Sequence, residues 1–501
     1  MTNWKSFSGS IAFISLMGST ASFADVTAKE VWADWHDYMT GFGYEVTAQE
    51  TAADGMVTVD GLTMSMKLPE DEGAVKFTMG QITLKDQGDG SVAVIFPENM
   101  PISFSAGDEI SANLTYGNTG MSMIVSGSAE KMNYDLKAEK ISIVMNELMI
   151  EGEPVPNAVL DLIMSNVVGK SVSALGNLRN MTQALSMDSL DYTFKLAEPN
   201  GDFNLNVKGL MNDVTANSAV ALPKGINFEQ MAAALTAGFS VDAKISWGAG
   251  GYEFSSTDSG DSMKGASSSE SGELSVSMDR KAISYGGIAN GIKASMSGSS
   301  IPLPSIEYEM AEAVFNLLMP IEKTETPSDY ALTVKLGDLA ISDGIWGMFD
   351  PQSILPRIPA TINLVVDGKA NFLIDIMDPE NEEAQNADIP GQLHAFNLKE
   401  FQLKFGGADL TADGAFTFNN DDLDTFDGMP APTGAVNLKL VGGNGLLDNL
   451  IKMGYVPEDQ AMGARMMMGL FAVAGEGEDT LTSKIEVNGD GSILANGQRL
   501  K

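Results

Sequence analysis

Apolar and polar residues alternate one by one through most of this chain, and that period of two constrains its fold more than any other feature. Leu62, Met64, Met66 and Leu68 fall on one side of an extended strand, with Thr63, Ser65 and Lys67 on the other. Val75, Phe77 and Met79 repeat the pattern; Ile82 and Leu84 resume it in the opposite phase after Gly80, which predicts a bulge there. Leu274/Val276/Met278, Phe401/Leu403/Phe405 and Val436/Leu438/Leu440 continue it. Tyr192/Phe194/Leu196 and Phe203/Leu205/Val207 flank Pro199-Asn200-Gly201, a predicted hairpin turn. One apolar and one polar face per strand is the pattern of antiparallel sheet.

Helices are predicted in fewer places. Thr27-Ala28-Lys29-Glu30 reads as a capping box opening a helix with Val31, Trp32, Trp35, Tyr38 and Met39, stopped by Gly41 and Gly43. Pro156 to Val168 is apolar almost all round and reads as a buried helix. Tyr308 to Met319, ending at Pro320, Leu446 to Met453 and Gln460 to Ala474 are the others. Ser255 to Gly272, rich in Ser and Gly, and the acidic Asp378 to Asp388 read as loops.

A faint repeat sets Ile110 to Gly117 against Val241 to Gly248. Pro154-Val155-Pro156 answers Pro302-Leu303-Pro304, and Asp191-Tyr192 answers Asp329-Tyr330. A degenerate third copy runs from Ile362 through Pro430-Ala431-Pro432. The expected division is a signal peptide at 1–24, an N-terminal helix and β-meander at 25–96, repeat units at 97–222 and 223–355, and a degenerate third unit at 356–501. The expected fold is mainly β with packed helices, a β-rich α+β chain of elongated, curved antiparallel sheets. Tandem repeated lobes and one long continued sheet both fit it.

The N-terminus reads as an export signal: Lys5, the apolar run Ile11 to Met17, and Ser22-Phe23-Ala24 before a mature start at Asp25. The run is too short to span a bilayer, so the expectation is a periplasmic protein, with secretion as the alternative and no transmembrane segment after cleavage. Export takes ATP and the genome out of reach. With no cysteine in the chain, disulfides are excluded. Losing Lys5 takes the formal charge from −37 to −38, and a surface so acidic repels phosphate backbones; no nucleic-acid partner is expected. The 31 methionines suit surfaces that accommodate varied apolar ligands, and equally fill ordinary cores.

Catalytic vocabulary is sparse. His36 and His394, the two histidines, lack ligand-spaced companions. Gly260-Asp261-Ser262-Met263 resembles a lipase nucleophile block without a base, and Ser128-Ala129-Glu130-Lys131 fits S-x-x-K without companion motifs. Gly169-Lys170-Ser171 resembles the end of a P-loop, but Met164 stands where its first glycine belongs. Asn419 to Asp424 and Asn488 to Gly491 are Asp-rich turns without the EF-hand glutamate. Turn chemistry accounts for both. No enzyme activity, catalytic residue, metal or cofactor is expected. An outer-membrane barrel is disfavoured by the aromatic-poor composition, the predicted helices and a chain end, Arg499-Leu500-Lys501, without an aromatic.

Ile345-Trp346-Gly347-Met348-Phe349-Asp350-Pro351, then Ile354 to Pro359, and the run Gly434 to Leu438 with Leu446 to Leu450 and Met453-Gly454 carry a resemblance. With the Trp32/Trp35 helix and the signal, they resemble the domain of unknown function 2125 (DUF2125), a family of exported alphaproteobacterial proteins. The C-terminal pattern also resembles AsmA-type envelope proteins, which implies a long sheet groove for lipid, although the membrane anchor usual in that group is not expected here. The family implies no catalytic residue. Its signature residues Trp346, Phe349, Asp350, Pro351, Leu355, Pro356 and Arg357 read as a structural corner: Asp350-Pro351 begins a helical turn, Pro356 and Pro359 force an extended exit, and Arg357 bonds loop carbonyls or a nearby acid. The expected function is non-enzymatic binding of a lipid or other apolar envelope ligand. The alternative is a self-packed structural scaffold with an envelope protein as partner.

Overall fold

The computed structural model describes residues 25–67, 73–198, 201–226, 230–374, 376–377 and 391–501. The signal peptide, Leu68, Pro199-Asn200 of the hairpin turn and the acidic segment 378–388 lie outside the described residues.

The chain opens with helix α1 (Ala28–Gly41), whose capping box at Thr27 and Glu30 forms as expected. A run of short strands follows: β1 (Glu45–Ala53), β2 (Met56–Lys67), β3 (Ala74–Met79), β4 (Ile82–Asp86), β5 (Val92–Ile95), β6 (Asn99–Ala106), β7 (Ile110–Thr119) and β8 (Ser122–Ser128). Long strands come next: β9 (Lys131–Ile150), with the two-residue β10 (Glu153–Pro154) beside it, β11 (Val159–Ala174), β12 (Leu178–Ala197) and β13 (Asn204–Pro223). After α2 (Met231–Thr236) come β14 (Ser240–Trp247), β15 (Gly250–Asp258), β16 (Asp261–Ser269), β17 (Ser271–Met278), β18 (Ala282–Gly298), β19 (Ile306–Pro320) and β20 (Ser328–Ile341). Helix α3 (Asp343–Phe349) leads to β21 (Ala360–Phe372), β22 (Gly391–Phe405), β23 (Ala408–Asn419) and β24 (Ala431–Val441). The chain closes with α4 (Gly443–Lys452), α5 (Glu458–Phe471), β25 (Val473–Ala474), β26 (Thr480–Val487), β27 (Ile493–Ala495) and β28 (Gln498–Arg499).

The described strands form one sheet, and the named pairings are all antiparallel. From β9 onward the chain mostly adds each new strand beside the last, and Leu222 and Pro223 are the last residues of β13. Against each of β2, β9, β13 and β18, two shorter strands lie end to end beside one long neighbour.

Those breaks belong to a crease that runs across the strands. Gly61 in β2, Gly120 between β7 and β8, Asn166 in β11, Asp213 in β13, Gly291 in β18 and Asp338 in β20 all have φ between +50° and +63°. The pairing is interrupted at each: Asn166 lies between the pairs Ser165–Lys140 and Val167–Ala138, Asp213 between Asn212–Ser189 and Val214–Met187, and Gly291 between Asn290–Glu312 and Ile292–Met310. Apolar residues step by three at the crease, around left-handed Asn166 and Asp213 in Met164/Val167 and Met211/Val214, and in the strands beside them without one in Ala138/Ile141 and Met187/Leu190; all eight meet in one cluster. The phase change at Gly80 is part of this crease: the chain passes there from β3 to β4, with no bulge inside a single strand, and a side chain at Gly80 would strike Met100.

Three expectations are corrected. Pro156 to Val168 is not a helix; from Val159 it is β11. Tyr308 to Met319 is β19. Ser255 to Gly272 is not a loop but the end of β15, all of β16 and the start of β17, turning at Ser259-Gly260, both left-handed. Its small residues make room for aromatics: a side chain at Gly265 would overlap Phe254, and one at Gly272 would overlap Trp247. The predicted C-terminal helices are present as α4 and α5, although Val473-Ala474 is strand. Leu196 faces Leu205 and Phe194 faces Val207, as the hairpin reading requires.

Candidate functional site: one apolar face

Following the registers sideways from Val57 gives Leu84, Val94, Met123, Leu136 and Gly169. The same row continues through Leu185, Ala216, Ile245, Leu274, Gly287 and Phe315. It ends through Val334, Leu364, Phe401, Ala412, Leu438 and Ser483. Until Ser483 every member is apolar or glycine. A parallel row beyond the crease runs Leu162, Tyr192, Gly209, Tyr252, Ser267, Ala294, Tyr308, with Tyr192 lying over Gly209. The opposite face is polar and carries ion pairs such as Lys244–Glu273 and Lys335–Glu312, each 2.6 Å.

Helices cover this face only at its margins. At the N-terminal end α1 places Val31 and Trp32 on Val57, Leu84, Val92 and Val125. At one end of the central strands α2 packs with Leu222, Phe239 and Ile283. At the C-terminal end α5 lies over β23, β24 and β26. Between them large apolar side chains meet solvent: Leu274 is 53% exposed, Phe315 45% and Ile362 44%.

Under α1 a cavity of about 430 Å³ is lined by Trp35, Met39, Met123, Leu136, Met181 and Leu185. Next to it lies a hollow of about 330 Å³ that shares Gln183 and Leu185 and reaches Ile245 and Leu274. Polar groups close one side of the first cavity. Arg179 pairs with Asp34 at 2.6 Å, both side chains almost fully buried. Arg179 also donates to the Ser173 hydroxyl (3.2 Å) and the Asp34 carbonyl (3.3 Å), and lies over the Tyr38 ring. The Trp35 indole donates to the Tyr134 hydroxyl at 3.2 Å. Burial, and then the Asp34 carboxylate, push the Tyr134 phenol above its ordinary range, so it stays a neutral donor. Neither the buried pair nor the tyrosine stood out in the sequence; a lone arginine 145 residues from its partner leaves no local signal.

The family-signature residues form a corner between β20 and β21. Trp346 in α3 is buried, 4.9 Å from Phe349 and stacked on Phe405 at 6.3 Å. Asp350, 1% exposed, ends α3, and its carboxylate accepts the amides of Ile354 and Leu355 at 2.9 Å each. Pro351 follows in an exposed turn. Leu355 and Pro356 pack where Gly406 and Gly407 leave space. Arg357 pairs with Asp343, donates to Ser353 and sits over the Trp346 ring. Every polar group named in this corner bonds another part of the same corner.

The remaining sequence motifs are dispersed. Ser262 sits at the β15–β16 tip, where its amide donates to Ser299; Ser128 donates to Glu130; Gly169 to Ser171 lie inside β11, not in a loop before a helix. His36 lies edge-on to Trp32, and His394 bonds Asn371 at 2.7 Å. Asp422 and Asp490 accept from Thr425 and Ser492 within their own turns. Among the described residues no three His, Cys, Asp or Glu side chains stand together to hold a metal, and no helix is long and apolar enough to cross a membrane.

Fold and face together define a single-sheet β protein with one apolar side left partly uncovered by its helices. The chain belongs to the DUF2125 family, described as an uncharacterized protein conserved in bacteria, whose model matches residues 213–495. No curated protein and no solved structure matches the chain.

Proposed function

We propose that this protein binds lipid acyl chains along the apolar face of its sheet, as a non-enzymatic protein of the periplasm that supports the cell envelope. One observation carries the reading: an unbroken apolar row crosses the sheet, and its middle members are half exposed. A large exposed apolar surface is costly in water unless something covers it. The sequence likeness to AsmA-type envelope proteins points the same way by analogy of fold. The test is uptake of a fluorescent fatty acid by the full chain. Changing Leu274 and Phe315 together to Glu places two charges in the open middle of the row and is expected to weaken uptake by at least about tenfold. Unchanged uptake, or none by the wild-type protein, counts against the reading.

The second reading, a scaffold whose apolar face is covered by a partner protein, draws on the same exposed side chains. It predicts concentration-dependent mass in light scattering and no extractable lipid.

A further inference from the structure

We infer that α5 is the adaptable cover of an acyl-chain site at the C-terminal end of the sheet. The inference rests on the lipid-binding reading and names where on the face a chain is covered. Beneath α5 lies a cavity of about 530 Å³, within the ~300–1,000 Å³ typical of small-molecule sites. Met468 and Phe471 roof it, and Leu438, Leu440, Leu481 and Ile485 floor it. The Ser483 hydroxyl at its wall is already engaged, donating to the Phe471 carbonyl at 2.6 Å. Thr482, the other polar residue at the wall, pairs with Lys439 on the opposite side of β26 from Leu481 and Ser483, so a polar ligand would find no side-chain partner on the floor or roof, and a buried polar group without a partner is strongly disfavoured. Hydrocarbon is the occupant that fits.

The position of the cavity makes the same point. Leu438 is the last apolar member of the row that crosses the sheet, reached from the open middle through Phe401 and Ala412. An acyl chain lying on the open face enters the cavity without crossing a polar step. The head group then remains in solvent over the uncovered strands.

The cover is built to adapt. Helix α5 is apolar on two sides: Met468 and Phe471 face the cavity, while Met462, Met466 and Leu470 face solvent, Met466 at 74% exposure. Its polar attachments sit at mid-helix and at its C-terminal end. Arg465 reaches Asp448 (2.5 Å) and Asn444 (3.3 Å), and the Phe471 carbonyl accepts from Ser483 and Asn496. Methionine is unbranched and repacks around ligands of different shape, so the roof can adapt to a chain through its side chains while Arg465 and the Phe471 carbonyl hold the helix in place.

The test is photolabelling of the full chain with a diazirine derivative of palmitic acid, supplied free or as phosphatidylcholine in vesicles, followed by peptide mapping. Labelling is expected on residues 467–472 and on 438–440 or 481–485. Labelling from the free acid alone or from vesicles as well supports the site and identifies the source of the chain. Ala472→Trp, which fills the cavity, is expected to lower labelling there about tenfold while labelling near Leu274 persists. If Ala472→Trp fails to fold, the wild-type map decides. Labelling confined to the middle strands overturns the α5 site and leaves the wider reading standing; no labelling anywhere overturns both.

Discussion

Asp479 determines how α4 begins. The residue before that helix is Gly442, left-handed and without a side chain to cap it. Asp479, in the turn before β26, supplies the cap from outside: its carboxylate accepts the amides of Gly445 (2.9 Å) and Asn444 (3.2 Å) and the Asn444 side chain (2.8 Å). Burial pushes its carboxyl up, but the Gly445 and Asn444 donors outweigh it and hold the group below the usual carboxylate range. A depressed folded value means the stability is present above the unfolded value near ~3.9 and is lost as pH falls through the folded value. Asp479→Ala is therefore expected to cost about 1 kcal/mol at neutral pH in urea denaturation, with the difference from wild type shrinking below about pH 4. A difference that stays constant into acid would contradict the cap. Asp34 makes a harsher case. Asp34→Ala leaves the Arg179 guanidinium buried without its counter-ion and is expected to cost about 3–5 kcal/mol, while replacing both partners with apolar residues costs less. Of these residues, only the Thr27–Glu30 capping box was legible beforehand, because its partners are three residues apart. Asp34 with Arg179, and Asp479 with Asn444, are set by the fold.

At the scale of elements, the crease explains both what the sequence revealed and what it concealed. Clean alternation placed β2, β17, β22 and β24 correctly because no left-handed residue interrupts the quoted stretches. The two false helices cross the crease. In β19 the apolar face reads Tyr308, Met310, then Ala313, Phe315, and in β11 it reads Leu162, Met164, then Val167. A step of three inside a step of two imitates helical spacing. The signals that could have corrected it were the Glu307-Tyr308-Glu309-Met310 alternation and the β-branched content of Val159 to Val172. The crease also yields a test. Asp213 holds φ +50° in mid-strand; Asp213→Gly is expected to be tolerated, while Asp213→Val is expected to lose about 1–2 kcal/mol by thermal or chemical unfolding. Equal stability of the two variants would show that the crease does not depend on that conformation.

Over the whole molecule, the edges of the sheet are protected and its face is not. Among the described strands β1 is one edge, exposed and carrying Glu45 and Glu50, and β28 at the other end is two residues long. Charged or very short edges resist pairing with further chains, so strand addition is a poor account of what this sheet does. Its helices are too few to bury the apolar side, and on the row that crosses the sheet the uncovered Leu274 and Phe315 lie midway between α1 and α5. The sequence showed that such a face must exist, strand by strand. It could not show that the rows join across eighteen strands, because register is a relation between segments and not a property of any one of them. Native mass spectrometry of the full protein, purified from the cells that make it and followed by solvent extraction, asks directly whether that face carries lipid. Added mass at a defined stoichiometry that extracts as lipid is expected. A bare chain mass with no fatty acid in the extract would contradict it.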